Sequence, residues 1–177
     1  PRRVFDKNSI NELAESIKSK GLVQPILVRP SNTNDGEYEI IAGERRWRAA
    51  QVAQLHAIPA VVRNLNDTES LEIAIIENVQ RSDLSPIEEA AGYKKLMESY
   101  NHTQEQLSEV VGKSRSHIAN IIRLLSLPQS IQDMISQGSI SSGHARAIMN
   151  SAFPEQLAEK IINENLSVRA TEALVKE

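Results

Sequence analysis

Apolar positions recur with two kinds of spacing: the first half of the chain contains both, and the second half contains only helical spacing. Between 9 and 20 they return every three or four residues, which is typical of an amphipathic helix. Three short apolar or alternating runs, separated by turn-forming residues, predict β-strands at 25–28, 38–41 and 58–62. An arginine-rich helix is predicted after Gly43, between the last two runs. The N-terminal half is therefore a small mixed α/β unit.

After about Thr68, every apolar run has helical spacing. Ser85, Pro86 and Glu88 form an N-terminal capping signature for one of these helices. The predicted helices are 71–80, 85–100, 104–111, 115–125, 130–137, 143–149, 154–163 and 167–176. We therefore predict an α+β chain with a mixed α/β domain over 1–82 and an all-helical domain over 83–177.

Composition limits the chemistry that is open to this chain. It has no cysteine, so disulfides, thiolate nucleophiles and Cys-based zinc sites are excluded, and its 4 histidines lack metal-ligand spacing. We expect no structural metal. No run approaches the roughly 18 apolar residues of a membrane span, and no signal-peptide core opens the chain, so a soluble, cytoplasmic protein is predicted. A first residue other than methionine and a helical pattern at the last residue predict a fragment of a longer protein.

Gly43, Glu44, Arg45 and Arg46 lead from an apolar strand into a helix and suit a polyphosphate. Unpaired N–H groups and the positive dipole end attract anions to the first turn of a helix, and glycine lets a ligand approach the backbone. Arginines then grip phosphate oxygens in pairs, and the carboxylate can orient a metal ion or water. A solvated, arginine-rich surface helix is the alternative. No Gly-x-x-x-x-Gly-Lys-Ser/Thr segment occurs, which excludes a P-loop.

Glu77, Asn78 and Arg81 close a predicted helix and complement the first motif. They offer a carboxylate for a divalent cation, an amide that donates and accepts, and a guanidinium for phosphate. The alternative is a solvated helix C-terminus, where Arg81 simply suits the negative dipole end.

Residues 104–125 have the spacing of a helix-turn-helix, with Thr103 and Ser114 as caps and Gly112 in the turn. The net charge of −3 gives no global argument for nucleic acid, so any contact with DNA must be local. Arginine can pair with guanine edges, and serine and asparagine can reach bases or phosphates. The candidate DNA-binding residues are Lys113, Ser114, Arg115, Ser116, His117, Asn120 and Arg123. A helical hairpin that binds nothing is the alternative.

A second basic segment, with Gly143, His144 and Arg146, opens another predicted helix and adds three candidate DNA-binding residues. Taken alone, His144 is more typical of a capping or packing residue than of a base reader.

Together these segments resemble the ParB family of chromosome and plasmid partition proteins over nearly the whole chain. The resemblance begins at 1–6 and ends at 167–172. Four specific motifs stand between them in the family's order: 21–26 (GLVQPI), 43–49 (GERRWRA), 77–81 (ENVQR) and 112–120 (GKSRSHIAN).

The resemblance implies that the α/β domain binds CTP with Mg²⁺ and that the helix-turn-helix binds a palindromic centromere site, parS. It places Gly43, Glu44, Arg45 and Arg46 around the triphosphate, and Gln24 beside the nucleoside. It also implies that Glu77, Asn78 and Arg81 complete the metal and phosphate shell. Of these residues, we expect Glu44 and Glu77 to be catalytic and Glu77 to be the metal ligand.

The resemblance further implies slow CTP hydrolysis and self-association of the N-terminal domains into a clamp on DNA. In the full-length protein it implies a ParA-type ATPase as a partner, condensin loading and association with the nucleoid. Nucleoid-occlusion and plasmid-partition proteins are the alternatives within this class, although Arg115 and Gly143 look like the parS-reading members. A helix-turn-helix regulator with an α/β interaction module, and a ParB-like kinase, stay open.

Overall fold

The computed structural model describes residues 7–81 and 83–176 and contains, within them, ten α-helices and three β-strands. The N-terminal elements are α1 (Lys7–Lys20), β1 (Ile26–Pro30), β2 (Tyr38–Ala42), α2 (Glu44–Val52), β3 (Ala60–Val62) and α3 (Asp67–Val79). The remaining helices are α4 (Pro86–Tyr100), α5 (Gln104–Val111), α6 (Arg115–Arg123), α7 (Gln129–Ser136), α8 (Ser142–Ile148), α9 (Pro154–Glu164) and α10 (Val168–Lys176). The chain divides into two compact units, 1–74 and 75–177.

The first unit is built on a sheet in the order β2-β1-β3. β1 pairs antiparallel with β2 and parallel with β3. Helices α1 and α2 pack against each other, because the apolar faces of both supply a small core. Its buried members are Ile10, Ala14, Ile17, Ala49 and Ala53.

The second unit has one core, to which every helix from α4 to α9 contributes a buried side chain. Tyr93, Leu107 and Ile118 come from α4, α5 and α6 and are almost completely buried. The end of α3 also belongs to this unit, and Gly92 makes its close packing on α4 possible. A Cβ atom at Gly92 would lie 2.3 Å from the Cγ2 atom of Val79.

The predicted α+β fold class is confirmed, and most element bounds agree with the prediction within one or two residues. Helix α3 starts earlier than predicted, at Asp67. The reason is a capping box: Asn66 Oδ1 accepts from the Glu69 backbone N–H, and the Glu69 carboxylate accepts from the Asn66 N–H, each at 2.9 Å.

The domain boundary at 82/83 stays a prediction, and the family motif at 1–6 lies outside the described residues. Within 7–81 and 83–176, no helix is long and apolar enough to cross a membrane.

Candidate functional site

Hydrogen bonds stabilise the helix-turn-helix at its predicted helix caps and at its turn. Thr103 makes a capping box with Gln106 at the start of α5, and Gly112 ends that helix at φ 68°. Ser114 Oγ accepts from the His117 backbone N–H at the start of α6. Ser108 Oγ donates to the Lys113 carbonyl oxygen at 2.7 Å, which braces the turn. The geometry of α5, turn and α6 is therefore fixed by local side chains.

Side chains of α6 and α8 meet at a hollow of about 270 Å³ on the surface of the second unit. Its polar lining combines Ser114, Ser116, His117, Asn120, Ser142 and Arg146. The structure thus brings five of the predicted DNA-binding residues together, and adds Ser142, which was not among the residues predicted from the sequence. A serine at the start of a helix carries no signal beyond capping, so only the fold reveals its place.

Four predicted DNA-binding cations of this unit are exposed: Lys113, Arg115, Arg123 and Arg146. None of them forms an ion pair with another described residue, although carboxylates are frequent in the chain. Their positive charge is therefore available to an external anion. Of the four, only Arg146 lines the hollow.

His144 and Gly143 have roles inside the protein. The Nδ1 atom of His144 lies 3.3 Å from the Ser141 backbone nitrogen, as in a capping box, and its Nε2 atom lies 3.0 Å from the Leu166 carbonyl oxygen. Both ring nitrogens are thus occupied, which favours the capping role over contact with DNA. A Cβ atom at Gly143 would lie 3.1 Å from Cγ2 of Val168, so this glycine allows α10 to pack closely on α8.

His117 contacts a carboxylate that the sequence analysis did not identify. Its Nε2 atom lies 3.1 Å from Oε1 of Glu89, and the same oxygen accepts a hydrogen bond of 2.6 Å from the Tyr93 hydroxyl. Burial and the Glu89 carboxylate raise the pKa of Tyr93, so the phenol stays protonated. The i,i+4 spacing of Glu89 and Tyr93 was legible in the sequence. Their contact with α6 depends on tertiary packing and could not be predicted from the sequence.

The predicted phosphate motif of the first unit starts at Gly43, a buried N-cap residue with φ 93°. A Cβ atom there would lie 3.0 Å from the Ile26 side chain, so both the backbone conformation and the tight space favour glycine. Arg46 Nη1 donates to the carbonyl oxygens of Pro25 at 2.6 Å and Gln24 at 3.2 Å. The predicted nucleoside loop and the predicted phosphate helix are therefore adjacent.

The other two charged members of this motif also bond within the unit. Arg45 Nη2 donates to Ser9 Oγ at 3.1 Å, and Arg48 pairs with the Glu44 carboxylate at 2.6 Å. Glu44 is exposed, so its carboxylate can exchange this partner for another at little cost.

Glu77, Asn78 and Arg81 belong to the second unit, whereas Gly43, Glu44, Arg45 and Arg46 belong to the first. Arg81 Nη2 pairs with Asp83 at 2.9 Å, and Nη1 donates to Asn78 Oδ1 at 3.3 Å. The hydrogen bond to Asp83 is the largest cause of the raised pKa of Arg81. Glu77 and Asn78 are exposed and offer oxygen atoms. Among the described residues, no three His, Asp or Glu side chains cluster as a metal site.

Two family models match the chain and together cover almost all of it. The model described as the ParB N-terminal domain matches residues 1–79, and the ParB HTH domain matches residues 82–177. The chain belongs to the ParB family. This confirms the resemblance drawn from the sequence motifs.

One relative from the same family is similar over nearly the whole chain. The chromosome-partitioning protein ParB of Caulobacter vibrioides is 54% identical over 176 residues, which are 99% of this chain and 58% of that protein. The chain therefore spans just over half the length of that ParB.

A crystal structure of the C-terminally truncated ParB of Caulobacter crescentus, complexed to the centromeric parS site, matches with a TM-score of 0.91 and 53% identity. The match covers 99% of this chain and 91% of that chain. A structure of the truncated Caulobacter ParB complexed with CTP-gamma-S is 54% identical over 92% of this chain and 90% of that chain. The TM-score of that match is 0.44.

Proposed function

We propose that this chain is the parS-binding part of a chromosome-partitioning protein, cytoplasmic and associated with the nucleoid, whose grip on DNA is gated by CTP. The observation that carries the proposal is the hollow between α6 and α8. There Ser116, Asn120 and Arg146 converge beside exposed cations that form no ion pair with another described residue. The match to a parS-bound ParB supports the same reading.

In the proposed complex α6 is the recognition helix in the major groove. Arg115 stands at its first position, exposed and without an ion-pair partner among the described residues, so its guanidinium can face a guanine edge. Lys113, Arg123 and Arg146 neutralise backbone phosphates, which position the helix without reading sequence. The DNA affinity is then local in origin, despite the net charge of −3.

The first unit is proposed to hold the CTP triphosphate at the start of α2. The N–H groups of the first turn after Gly43, together with Arg45 and Arg46, are the proposed donors for phosphate oxygens. Because Arg46 bonds to the carbonyl oxygens of Gln24 and Pro25, phosphate binding would also set the loop that faces the nucleoside.

Mg²⁺ takes oxygen donors and keeps several waters, and the residues of the second motif fit that preference. Glu77 offers an exposed carboxylate as the one protein ligand, while Asn78 and Arg81 serve the phosphates. When bound, the ion would neutralise charge on the phosphates. Glu44 is proposed to orient the attacking water in slow CTP hydrolysis, after release from Arg48.

In the longer protein, CTP and DNA together are proposed to drive self-association of the N-terminal domains into a clamp. A ParA-type ATPase and condensin loading belong to that protein's partners. Hydrolysis would reopen the clamp.

The parS claim is tested by fluorescence anisotropy with a parS duplex, a scrambled duplex of equal length, and the variants Arg115→Ala and Lys160→Ala. Loss of a bidentate guanine contact predicts parS affinity lower by about tenfold for Arg115→Ala, with little change on scrambled DNA. Lys160→Ala is the control, because it removes one positive charge from an exposed position on α9, outside the proposed DNA-binding surface. Equal affinity of the unaltered chain for both duplexes would contradict the claim.

One observation favours a second candidate, a DNA-binding regulator whose α/β unit is only an interaction module. Arg45, Arg46 and Glu44 all have partners within that unit, so the motif also has a purely structural explanation. Titration calorimetry separates the two functions. Binding of CTP in preference to UTP and ATP supports the nucleotide gate, and no binding of any nucleotide supports the module.

A further inference from the structure

One carboxylate oxygen in the second unit receives hydrogen bonds from two helices. Glu89 lies in the first turns of α4, and its side chain is 19% exposed. Its Oε1 atom is 2.6 Å from the Tyr93 hydroxyl on the same helix and 3.1 Å from Nε2 of His117 on α6. Tyr93 itself is 1% exposed, so the carboxylate rests on the core rather than in solvent.

The contact constrains the imidazole of His117. A carboxylate only accepts hydrogen bonds, so Nε2 is the donor in this contact, which restrains the orientation of the ring. The His117 backbone N–H is held as well, by Ser114 Oγ at 3.1 Å. The first turn of α6 is therefore attached at two points, one local and one to another helix.

The residues that this attachment controls are those proposed to meet DNA. Arg115 and Ser116 stand in the same turn as His117, and Ser116, His117 and Asn120 line the hollow. A rotation of this turn would move all of them relative to a base edge. Discrimination by hydrogen bonds is lost with small displacements, whereas the attraction of cations to phosphates changes little.

Electrostatics separates positioning from direct contact. A carboxylate repels DNA phosphates, so Glu89 is unsuited to contribute affinity by itself. Arg81 and Lys113 line a second hollow of about 350 Å³ together with Glu89 and Tyr93, so cations share its surroundings. The contact of Glu89 with DNA-facing residues runs through the imidazole of His117, which suits Glu89 to an indirect contribution to DNA recognition.

We propose that Glu89 is a positioning residue for DNA recognition, which sets the first turn of α6 through Nε2 of His117 and so raises discrimination between DNA sequences. This inference rests on the proposed parS function. It concerns the ratio of affinities for specific and unrelated DNA, rather than affinity as such.

The test compares Glu89→Ala, Glu89→Gln, His117→Ala and the double variant Glu89→Ala/His117→Ala with the unaltered chain. Glu98→Gln is the matched control, because Glu98 is an exposed carboxylate on the same helix with only a 3.8 Å contact to Lys94. Anisotropy gives the dissociation constants for parS and for a scrambled duplex at one salt concentration. Thermal unfolding followed by circular dichroism checks that each variant is folded.

We expect Glu89→Ala to lower the ratio of parS to scrambled affinity by about tenfold, the size of a coupling between contacting residues. Glu89→Gln, which still accepts from Nε2–H, should recover most of that ratio. The double variant should discriminate no worse than His117→Ala alone, because Glu89 acts through His117. Glu98→Gln should leave the ratio unchanged.

An unchanged ratio in Glu89→Ala, or additive losses in the double variant, would overturn the positioning role while parS binding by the unaltered chain stands. If the Glu89→Ala variant does not fold, the affinity ratio is compared in Glu89→Gln instead. A loss of this ratio as large as that in His117→Ala would also overturn the positioning role. No preference of the unaltered chain for parS would refute both the proposed function and this inference.

Discussion

At the scale of single residues, Gly43 combines a conformational requirement with a steric one. Its φ of 93° lies in the left-handed region, and the place of a Cβ atom is 3.0 Å from the buried Ile26 side chain. Gly36 also has a positive φ, of 82°, but nothing lies within 4 Å of its Cβ position. The pair therefore separates backbone strain from loss of space.

We predict that Gly43→Ala lowers the free energy of unfolding by about 2–3 kcal/mol and Gly36→Ala by about 1 kcal/mol. Urea unfolding followed by the fluorescence of Trp47 measures both, since Trp47 is the single tryptophan and lies on α2. Equal losses in the two variants would mean that the contact with Ile26 contributes nothing.

Tyr93 gives a residue-scale prediction for alkaline pH. Burial, together with the Glu89 carboxylate, raises the pKa of its phenol above the ordinary value of about 10. The protonated phenol therefore stabilises the folded chain with no pH dependence below pH 10. Above it, the unfolded state ionises first and stability falls by about 1.4 kcal/mol per pH unit. The Tyr93→Phe variant should lack this part of the fall in the free energy of unfolding, which urea unfolding measures between pH 9 and 11. An unchanged slope would contradict it.

At the scale of elements, the helices were predictable because their ends are encoded locally. Ser85, Thr103 and Ser114 each cap the helix that the sequence assigned to them. Sequence periodicity did not extend α3 back to Asp67, since the capping box of Asn66 and Glu69 precedes its apolar residues. Contacts between elements carry no such local signal.

The candidate site likewise combines features that the sequence predicts with contacts that it does not predict. The polar face of α6 was legible as a set of residue types at helical spacing. The partners of Arg46 are backbone carbonyl oxygens 22 and 21 residues away, which no sequence pattern marks. Glu89, likewise, becomes relevant only because α4 packs against α6.

Close packing between α3 and α4 gives a prediction at this scale. Gly92→Ala should destabilise the chain by about 1–2 kcal/mol, because overlap of the new methyl group with Val79 outweighs the better helix propensity of alanine. Val79→Ala removes the obstructing group. The double variant should lose at least about 1 kcal/mol less free energy of unfolding than the sum of the two single losses. Urea unfolding followed by circular dichroism at 222 nm measures all three values. Simple additivity would show that the helices adjust without strain.

At the scale of the whole molecule, two chemically different motifs are carried by a chain of modest negative charge. The proposed polyphosphate motif opens α2 in the first unit, and the proposed DNA-binding surface of α6 and α8 lies in the second. Net charge alone would not indicate nucleic acid, since the cations proposed to contact DNA are a local group of exposed side chains on and around the helix-turn-helix and α8. The proposed function requires that events at one motif depend on the other.

That dependence is tested most directly by the rate of phosphate release from CTP with Mg²⁺, measured with a parS duplex, with a scrambled duplex and without DNA. The proposed gate predicts slow release that parS accelerates and that the scrambled duplex leaves unchanged. Glu44→Gln should bind CTP and lose turnover under all three conditions. The same rate with and without parS, or no release in any of them, would contradict a CTP switch governed by parS.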